Sequence, residues 1–456
     1  MDTKKSWFWK EIEEGQVHVR DRLQFELKSE FITFPAKEVS VFTEELYIFI
    51  PQSLQINRDT YSTEQFYWDQ TNSIRYKTPT FTFEELLDPK NEASPLYSRA
   101  KMQGEVKLLA NIFRSTLRNT VKEITEHPDA KLDGEIKLFD TQVRATFGRF
   151  RDLKKEIKEE EKELDLVEEF MQLNVENYVT GLLEFLREQG LKKKQGSDKI
   201  LTRLILDEKP PPREAEDDIL SVASWMNKHF YEALSLKNER VHVQKKHGTW
   251  IGMLAAAIAM LVYMVLFVWK ASTFGINSIP FVMLAVLFYV LKDRVKEGMK
   301  DFYRQNAYRL FPDYSTKITT PEGKRLGTLN ESFQFVHSVP EVFSRFKSQD
   351  RFVPETIMQY KKEIVITTDT PVELNTVFRF NIHQFLEKAA DAIQNRPRLN
   401  PETLEIEYKP LPKVYTLTVL LKNTFEGRAE MKKFYIYMTK KGIDHVDYLG
   451  SFYTSS

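Results

Sequence analysis

One uncharged stretch constrains this chain more than any other feature. From Gly248 to Trp269 no side chain is charged, and the residues are apolar on every face of a helix. A helix needs roughly 20 such residues to cross the hydrocarbon of a bilayer. Trp250 and Trp269 lie at its two ends, where indole rings favour the membrane interfaces. The stretch therefore predicts a first transmembrane helix at 248–269, in preference to a buried core helix, which seldom reaches this length without a polar face.

A second uncharged segment extends from Ala271 to Leu291 and contains Gly275 and Pro280. Pro280 is compatible with a helix start, because its missing N–H would have no partner there. We interpret the segment as a second transmembrane helix at 274–291. A re-entrant or interfacial helix is the alternative, since the densest apolar part is short.

Basic residues surround these two segments unevenly, and only Lys270 occupies the turn between them. The flanking ones are Lys237, Arg240, Lys245 and Lys246 before the first segment, and Lys292, Arg294, Lys296, Lys300, Arg304 and Arg309 after the second. Basic residues near membrane segments remain in the cytoplasm. We therefore expect a multi-pass membrane protein with both termini cytoplasmic and a very small external turn.

Composition excludes several other classes of protein. The chain has 66 basic and 66 acidic residues, so no overall field would draw it to nucleic acid. It has no cysteine, which excludes disulfides, thiolate metal sites and cysteine nucleophiles. An apolar fraction of 42% indicates packed domains rather than a disordered chain. Residues Met1 to Gln16 lack the apolar run of a signal peptide, so we expect the N-terminal region to stay where it is made.

The predicted fold is an α+β membrane protein in which a two-helix transmembrane hairpin joins a helix-rich N-terminal cytoplasmic region to a smaller mixed α/β C-terminal cytoplasmic domain. The predicted segments are 1–90, a small α+β module; 91–208, a long-helix bundle or coiled-coil hairpin; 209–247, a Pro-rich joint and juxtamembrane helix; 248–269 and 274–291, the crossings; 292–312, a basic juxtamembrane helix; and 313–456, an α+β domain.

Local patterns support these divisions. Alternation at Leu23–Leu27 and the apolar run Leu46–Ile50 are typical of strands, and Ser62–Gln65 matches a helix capping box. Apolar residues at spacings of three and four predict a helix from Ser94 to Glu126 and a second long helix that passes through the charged run 154–163. That run is most simply a solvated face with i,i+4 pairs, and a docking surface is the alternative.

The C-terminal pattern indicates strands with one helix. The predicted strands are Glu363–Thr367, Leu404–Tyr408, Tyr415–Leu421, Phe434–Met438 and Gly442–Leu449, and the predicted helix is Phe385–Gln394. A polar loop with Gly427 joins two of these strands and predicts a β-hairpin.

No catalytic signature is present, so whether the protein is an enzyme stays open, and no cofactor or metal site is predicted. The segment Asp129–Asp140 partly matches a calcium loop, but Lys131 puts a cation where the ion needs an oxygen, and an ordinary turn is the preferred interpretation. His242 and His247 are five residues apart and do not share a helix face cleanly, so interfacial or solvated histidines are preferred to metal ligands.

Two groups of residues near the membrane are candidate contact sites. Lys292, Lys296, Lys300 and Arg304 recur every four residues, so they line one helix face that could contact anionic lipid headgroups or only fix the topology. Gly252, Ala255, Ala256 and Ala259 form a small-residue face. Such a face permits close helix packing, either within the chain or in a homo-oligomer.

These features favour a membrane-anchored scaffold that binds cytoplasmic protein partners. An oligomeric effector or pore gated by its cytoplasmic domains is the first alternative, although neither crossing contains an ionisable residue. A membrane-tethered enzyme with an unrecognised site is the second.

Overall fold

The computed structural model contains long helices and extended sheets, which confirms the mixed α+β class. It describes residues 17–33, 39–97, 99–126, 132–157, 161–188, 195–210, 216–271, 279–320, 323–339, 354–367, 371–391, 393–401 and 404–455. The chain divides into two compact units. The helical unit comprises Met1–His18, Ser73–Leu236 and Glu373–Thr376, and the sheet unit comprises Val19–Asn72, Lys237–Val372 and Val377–Ser456.

The described helices range from single turns to rods of more than 40 Å. They are α1 (Thr63–Asp69), α2 (Phe83–Leu87), α3 (Arg99–Glu126), α4 (Leu132–Glu156), α5 (Glu161–Glu188), α6 (Gln195–Asp207), α7 (Glu216–Tyr231), α8 (Val243–Ala271), α9 (Ile279–Leu310) and α10 (His383–Lys388).

The described strands are distributed from one end of the chain to the other. They are β1 (Val17–Val19), β2 (Gln24–Ile32), β3 (Ser40–Pro51), β4 (Gln70–Tyr76), β5 (Lys237–His242), β6 (Tyr314–Thr319), β7 (Arg325–Val336), β8 (Glu355–Ile366), β9 (Glu373–Asn381), β10 (Ile393–Leu399), β11 (Ile406–Pro412), β12 (Tyr415–Phe425), β13 (Arg428–Thr439) and β14 (Gly442–Ser455).

The helical unit buries the apolar stripes of α2 to α7 in one core. Phe83 meets Phe113 and Phe139 edge-on, and Phe113 meets Phe147 in the same way, with ring centroids 5.7 to 6.3 Å apart. This is the preferred geometry of aromatic pairs. The apolar periodicity of α3, α4 and α5 is therefore explained by packing of these helices on one another.

The sheet unit contains an eight-stranded antiparallel sheet in the order β14-β13-β12-β3-β8-β7-β6-β5. A four-stranded sheet has the order β1-β2-β9-β4. Aromatic contacts connect the inner face of the large sheet with β2 of the small sheet and with helix α1. Phe31 of β2 stacks on Phe42 of β3 with centroids 4.5 Å apart, and Phe66 of α1 stacks on Phe333 of β7 at 4.0 Å.

Strands β5 and β6 are separated by α8 and α9, yet they pair with each other. His242, the last residue of β5, lies directly opposite Tyr314, the first residue of β6. The helical pair therefore occupies the place of a β-hairpin loop at the edge of the large sheet. Its first helix follows β5 and its second helix leads into β6.

The sequence-based division of the chain differs from this arrangement. Residues 1–90 and 313–456 were expected to form separate α+β domains, whereas β3 lies between β8 and β12 in one sheet, and β2 lies next to β9. The reason is physical: strands pair through their backbones with partners distant in sequence, and local patterning carries no information on which partner is chosen.

Helix ends also differ from prediction in an instructive way. The first long helix ends at Glu126 as predicted, but it begins at Arg99 and not at Ser94. Ser94 does not cap this helix, and its hydroxyl donates to the Leu86 carbonyl at 2.7 Å. In place of the second long helix the structure has α4, which ends at Glu156, and α5, which begins at Glu161; residues 158–160 lie outside the described residues. Of the predicted joint at Lys209–Arg213, residues 211–213 lie outside the described residues.

The capping box predicted at Ser62–Gln65 is only half formed. The Ser62 hydroxyl accepts the Gln65 N–H at 3.1 Å, while the Gln65 side chain donates to Asp69. A complete capping box instead joins Thr82 and Glu85 at the start of α2.

The C-terminal hairpin is confirmed. Strands β12 and β13 are joined by Glu426 and Gly427, which have φ angles of 49° and 77°. Two such residues make the turn type that matches the twist of a hairpin. The predicted helix Phe385–Gln394 is wrong at its end, because α10 stops at Lys388 and Gln394 belongs to β10.

Candidate functional site at the base of the helical pair

A row of polar residues crosses the inner face of the large sheet and ends at the base of α8 and α9. Its members lie directly opposite one another on six neighbouring strands, from β12 to β5. In order they are Asn423, Glu44, Lys362, Glu331, Tyr314 and His242. The residues on either side along these strands are buried apolar ones, such as Leu46, Ile364 and Phe333. The row is therefore a polar layer inside an apolar core.

A buried ion pair forms the centre of the row. Lys362 Nζ lies 2.7 Å from Glu44 Oε1, and both side chains are 1% exposed. The Ser29 hydroxyl of β2 donates to Glu44 Oε2 at 2.8 Å, and Asn423 donates to Ser29 at 3.3 Å. Charges at this depth are tolerated only when they are paired and hydrogen-bonded. The pair thus fixes the register of β3 against β8 and ties β2 to both.

Glu331 collects four donors from three other strands, β4, β8 and β5. Its Oε1 accepts hydrogen bonds from Gln70 at 3.0 Å, from Asn72 at 2.6 Å and from the Tyr360 hydroxyl at 2.8 Å. Arg240 of β5 lies 3.2 Å from its Oε2. A carboxylate with several donors and a guanidinium partner is held firmly in one orientation. Glu331 therefore connects β5, from which α8 starts, to the centre of the sheet unit.

Asp313 lies between the end of α9 and the start of β6. Its Oδ2 accepts the Tyr67 hydroxyl at 2.8 Å and the Phe333 N–H at 2.7 Å. Its backbone carbonyl accepts the N–H of Val243, the first residue of α8, at 3.0 Å. Burial raises the pKa of the Asp313 carboxyl above its usual range, although these two donors oppose the shift. One residue thus joins both ends of the helical pair to the sheet.

Aromatic rings enclose the cation of this cluster. The Arg240 guanidinium lies 4.0 Å from the ring centroid of Tyr314 and 5.0 Å from that of Tyr67. The His242 ring lies 4.6 Å from the Tyr314 ring. Burial raises the pKa of the Tyr67 hydroxyl well above its usual value, so this group stays a donor. Cation–π contacts of this kind add to the ion pair with Glu331.

The side chains of this cluster are suited to fixing the helical pair to the sheet. Each named carboxylate already accepts hydrogen bonds from protein donors, and among the described residues no group of three or more His, Asp or Glu side chains is arranged to hold a metal ion. We call this set of residues, Glu331, Asp313, Arg240, Tyr67, Gln70, Asn72 and Tyr360, the base cluster.

The predicted small-residue face lies against the neighbouring helix. Ala255 and Ala259 are fully buried, and Gly252 and Ala256 are half-buried. A side-chain carbon added at Gly252 would come 3.5 Å from Lys300 Cε of α9. Packing within the chain was one of the two explanations offered by the sequence, and the homo-oligomer stays a prediction.

The predicted lysine face is half-buried, and Lys300 lies beside Gly252 of α8. Lys292, Lys296 and Lys300 are half-buried, and Lys292 Nζ lies 3.9 Å from the Tyr289 ring centroid. The side chain of Arg304 lies outside the described residues. The exposed charges of this part of α9 are instead those of Asp293, Arg294 and Glu297.

The weak calcium-loop match falls on a helix for most of its length. Asp133 and Asp140 are both in α4, where Asp133 accepts a hydrogen bond from Ser197 and Asp140 pairs with Arg144 at 2.9 Å. Asp129 and Lys131 lie outside the described residues.

The charged run 154–163 forms pairs between helices, since Lys154 Nζ lies 2.6 Å from both Asp165 and Glu168 of α5.

Sequence reasoning did not find the base cluster. The sequence did contain a signal for it. Leu329, Glu331 and Phe333 occupy every second, inward-facing position of β7, and Tyr360, Lys362 and Ile364 do the same on β8. A charged residue at an inward position of an alternating strand indicates a buried partner. The identity of that partner depends on sheet order, which the sequence does not reveal.

The chain matches no protein-family model, and neither a curated protein nor a solved structure resembles it significantly.

Proposed function

We propose that this protein is anchored in a membrane by the α8–α9 pair and that its two folded units act as a scaffold on the cytoplasmic face. One helix among the described residues is long and apolar enough to cross a membrane by length and composition, the segment Gly248–Trp269 of α8, with a mean hydropathy of 2.6. The observation that carries the proposal is the exposure of this segment, of which only 12% is buried.

Exposure separates an anchor from a core helix. Trp250, Leu261, Val268 and Trp269 are each more than 60% exposed. Soluble proteins rarely leave contiguous apolar surfaces of this size uncovered. Hydrocarbon is the environment that would cover the outward faces of the distal part of such a helix, which carries Leu261, Val268 and Trp269.

The proposed depth of insertion is set by α9. Its described apolar part, 279–291, is about 20 Å long, which is less than the ~30 Å of hydrocarbon. The exposed charges of Asp293, Arg294 and Glu297 follow immediately. Because Gly252 lies beside Lys300 and the helices are antiparallel, Lys292 lies beside about residue 260 of α8. We place the hydrocarbon boundary there, so the distal halves of both helices enter the bilayer.

The decisive experiment replaces the helices with a turn. Val243 and Asp313 are hydrogen-bonded neighbours, so residues 244–312 can be replaced by Asn-Gly, which closes a two-residue hairpin between β5 and β6. The shortened protein should remain folded by circular dichroism and leave the membrane fraction. If it still resists carbonate extraction, the anchor lies elsewhere.

Depth can be tested separately because the chain has no cysteine. A single cysteine at Glu297 should react with a water-soluble maleimide in intact membranes, whereas one at Val286, which is 59% exposed, should not. Equal reaction of both would contradict the proposed boundary. The variants are matched, because both positions lie on the outward side of α9.

A gated oligomeric pore is a second candidate. The observation that favours it is the outward charge of α9 beside an apolar α8, because an assembly could turn Asp293, Arg294 and Glu297 toward a water-filled centre. Chain counting in nanodiscs together with conductance measurements separates the two candidates. A single copy without conductance favours the scaffold.

A further inference from the structure

Strands β10 and β11 form an arm that pairs with no other described strand. The pairing is antiparallel over the whole length, from Ile393 opposite Pro412 to Leu399 opposite Ile406. Every β10 or β11 side chain that the structure describes is exposed. An isolated two-stranded hairpin is marginally stable in water, so an arm of this kind benefits from a surface on which to rest.

The two faces of the arm differ in chemistry. Residues directly opposite each other share a face, which puts Ile393, Pro397, Leu399, Ile406 and Tyr408 together. Ile393, Leu399, Ile406 and Tyr408 are each 58% to 69% exposed. The other face carries Arg396, Arg398 and Glu407, with Leu411 as its apolar member. The arm is thus amphipathic, with aliphatic and aromatic residues on one side and guanidinium groups on the other.

Sheet topology puts the arm at the same end of the sheet, measured along the strands, as the membrane helices. From β5 through β6, β7, β8 and β3 to β12, each strand is antiparallel to the next. The last residue of β5, where α8 begins, and the first residue of β12 therefore lie at the same end of the sheet. The arm ends at Pro412, three residues before Tyr415 opens β12.

The start of β12 also extends beyond the base of the helices. The polar row crosses β5 at His242 and β12 at Asn423, which is eight residues after Tyr415. Eight strand residues span about 27 Å. The start of β12, and with it the arm, therefore lies on the side of the polar row on which β5 ends and α8 begins.

We propose that the β10–β11 arm is a second membrane contact, which lays its apolar face into the lipid interface. Arg396 and Arg398 would then contact anionic headgroups, and the aromatic ring of Tyr408 suits the interfacial layer. Pro397 and Pro410 lack backbone N–H groups, which weakens the arm as a template for a further strand and favours contact through its face. This inference rests on the proposed anchoring by α8 and α9.

The test uses the full chain at one copy per nanodisc, with an environment-sensitive fluorophore on a single cysteine at Tyr408. The matched control is a cysteine at Glu407, the adjacent residue on the opposite face, and both positions are exposed. In discs of phosphatidylcholine with phosphatidylglycerol, emission from position 408 should shift to shorter wavelength and be quenched by spin-labelled lipids. Emission from position 407 should remain water-like. Arg396→Gln with Arg398→Gln should reduce the shift, and so should pure phosphatidylcholine.

Three outcomes would overturn the inference in distinguishable ways. Water-like emission at position 408 in chains that remain disc-bound rejects the arm contact alone. A shifted emission that spin-labelled lipids do not quench, at one copy per disc, means that another part of the same chain and not lipid covers the arm. Recovery of the chain outside the discs rejects the anchoring helices and this inference together.

Discussion

At the scale of single residues, Lys362 and Glu44 show how the sheet tolerates charge. Each is fully desolvated, and each neutralises the other at 2.7 Å. Changing Lys362 to Met leaves Glu44 buried without its cation and should lower the free energy of unfolding by about 3–5 kcal/mol. Urea denaturation monitored by fluorescence measures this change.

A double variant provides the control for that prediction. Glu44→Gln with Lys362→Met removes both charges and leaves an acceptor for the Ser29 hydroxyl. It should therefore recover most of the lost stability, because an ion pair replaced as a whole costs far less than one that is halved. A double variant as unstable as Lys362→Met would show that the Lys362 side chain acts through packing and not through its charge.

Glu26 predicts a pH dependence. Burial alone would raise the pKa of its carboxyl, but Arg379 at 2.7 Å and Arg20 at 3.3 Å bring the pKa below its ordinary value of 4.5. A carboxyl with a lowered folded pKa contributes stability that is present above the unfolded pKa and is lost as pH falls through the folded pKa.

The corresponding measurement compares Glu26→Gln with the parent chain. The variant should be less stable at neutral pH, and the difference should shrink as the pH falls from 4.5 toward the lowered pKa of Glu26. Thermal unfolding scans at a series of pH values detect this convergence. A difference that does not change with pH would contradict an electrostatic role.

At the scale of elements, local patterns predicted what local physics determines. The apolar span of α8 and the β12–β13 hairpin follow from runs and alternation, and the hairpin turn follows from Gly427. The base cluster could not be predicted, because Glu331, Arg240 and Gln70 come from strands far apart in sequence, and their meeting depends on the sheet register. The end of α4 at Glu156 was missed because heptad-like spacing continues beyond it.

Two glycine-to-alanine substitutions should change the free energy of unfolding in opposite directions. Gly427 has a φ of 77°, so Gly427→Ala should destabilise the β12–β13 turn by about 1 kcal/mol. Gly148 lies in the middle of α4, and a side-chain carbon added there would meet nothing within 4 Å. Gly148→Ala should therefore stabilise the protein by about 0.5–1 kcal/mol. Chemical denaturation of both variants measures these shifts, and changes of the same sign would contradict the assigned conformations.

At the scale of the whole molecule, chain continuity limits how the two units can be distributed across a membrane. The chain changes unit at 18/19, 72/73, 236/237, 372/373 and 376/377. The changes at 72/73 and 376/377 fall inside strands β4 and β9, which cannot cross a bilayer as single strands. The α8–α9 pair begins and ends within the sheet unit, at the paired residues His242 and Tyr314. We therefore expect both units on one side of the membrane, and the basic flanks predict that this side is the cytoplasm.

This arrangement can be measured with single cysteines on the two units. Trp68 of the sheet unit is 81% exposed and Leu138 of the helical unit is 52% exposed, so each accepts a cysteine without disturbing a core. A membrane-impermeant maleimide should label both positions in sealed vesicles whose cytoplasmic face is outward, and neither in vesicles of the opposite orientation. Protease added to the second kind of vesicle should likewise spare both units. Labelling of one position in each orientation would place the units on opposite sides and would require a crossing outside α8 and α9.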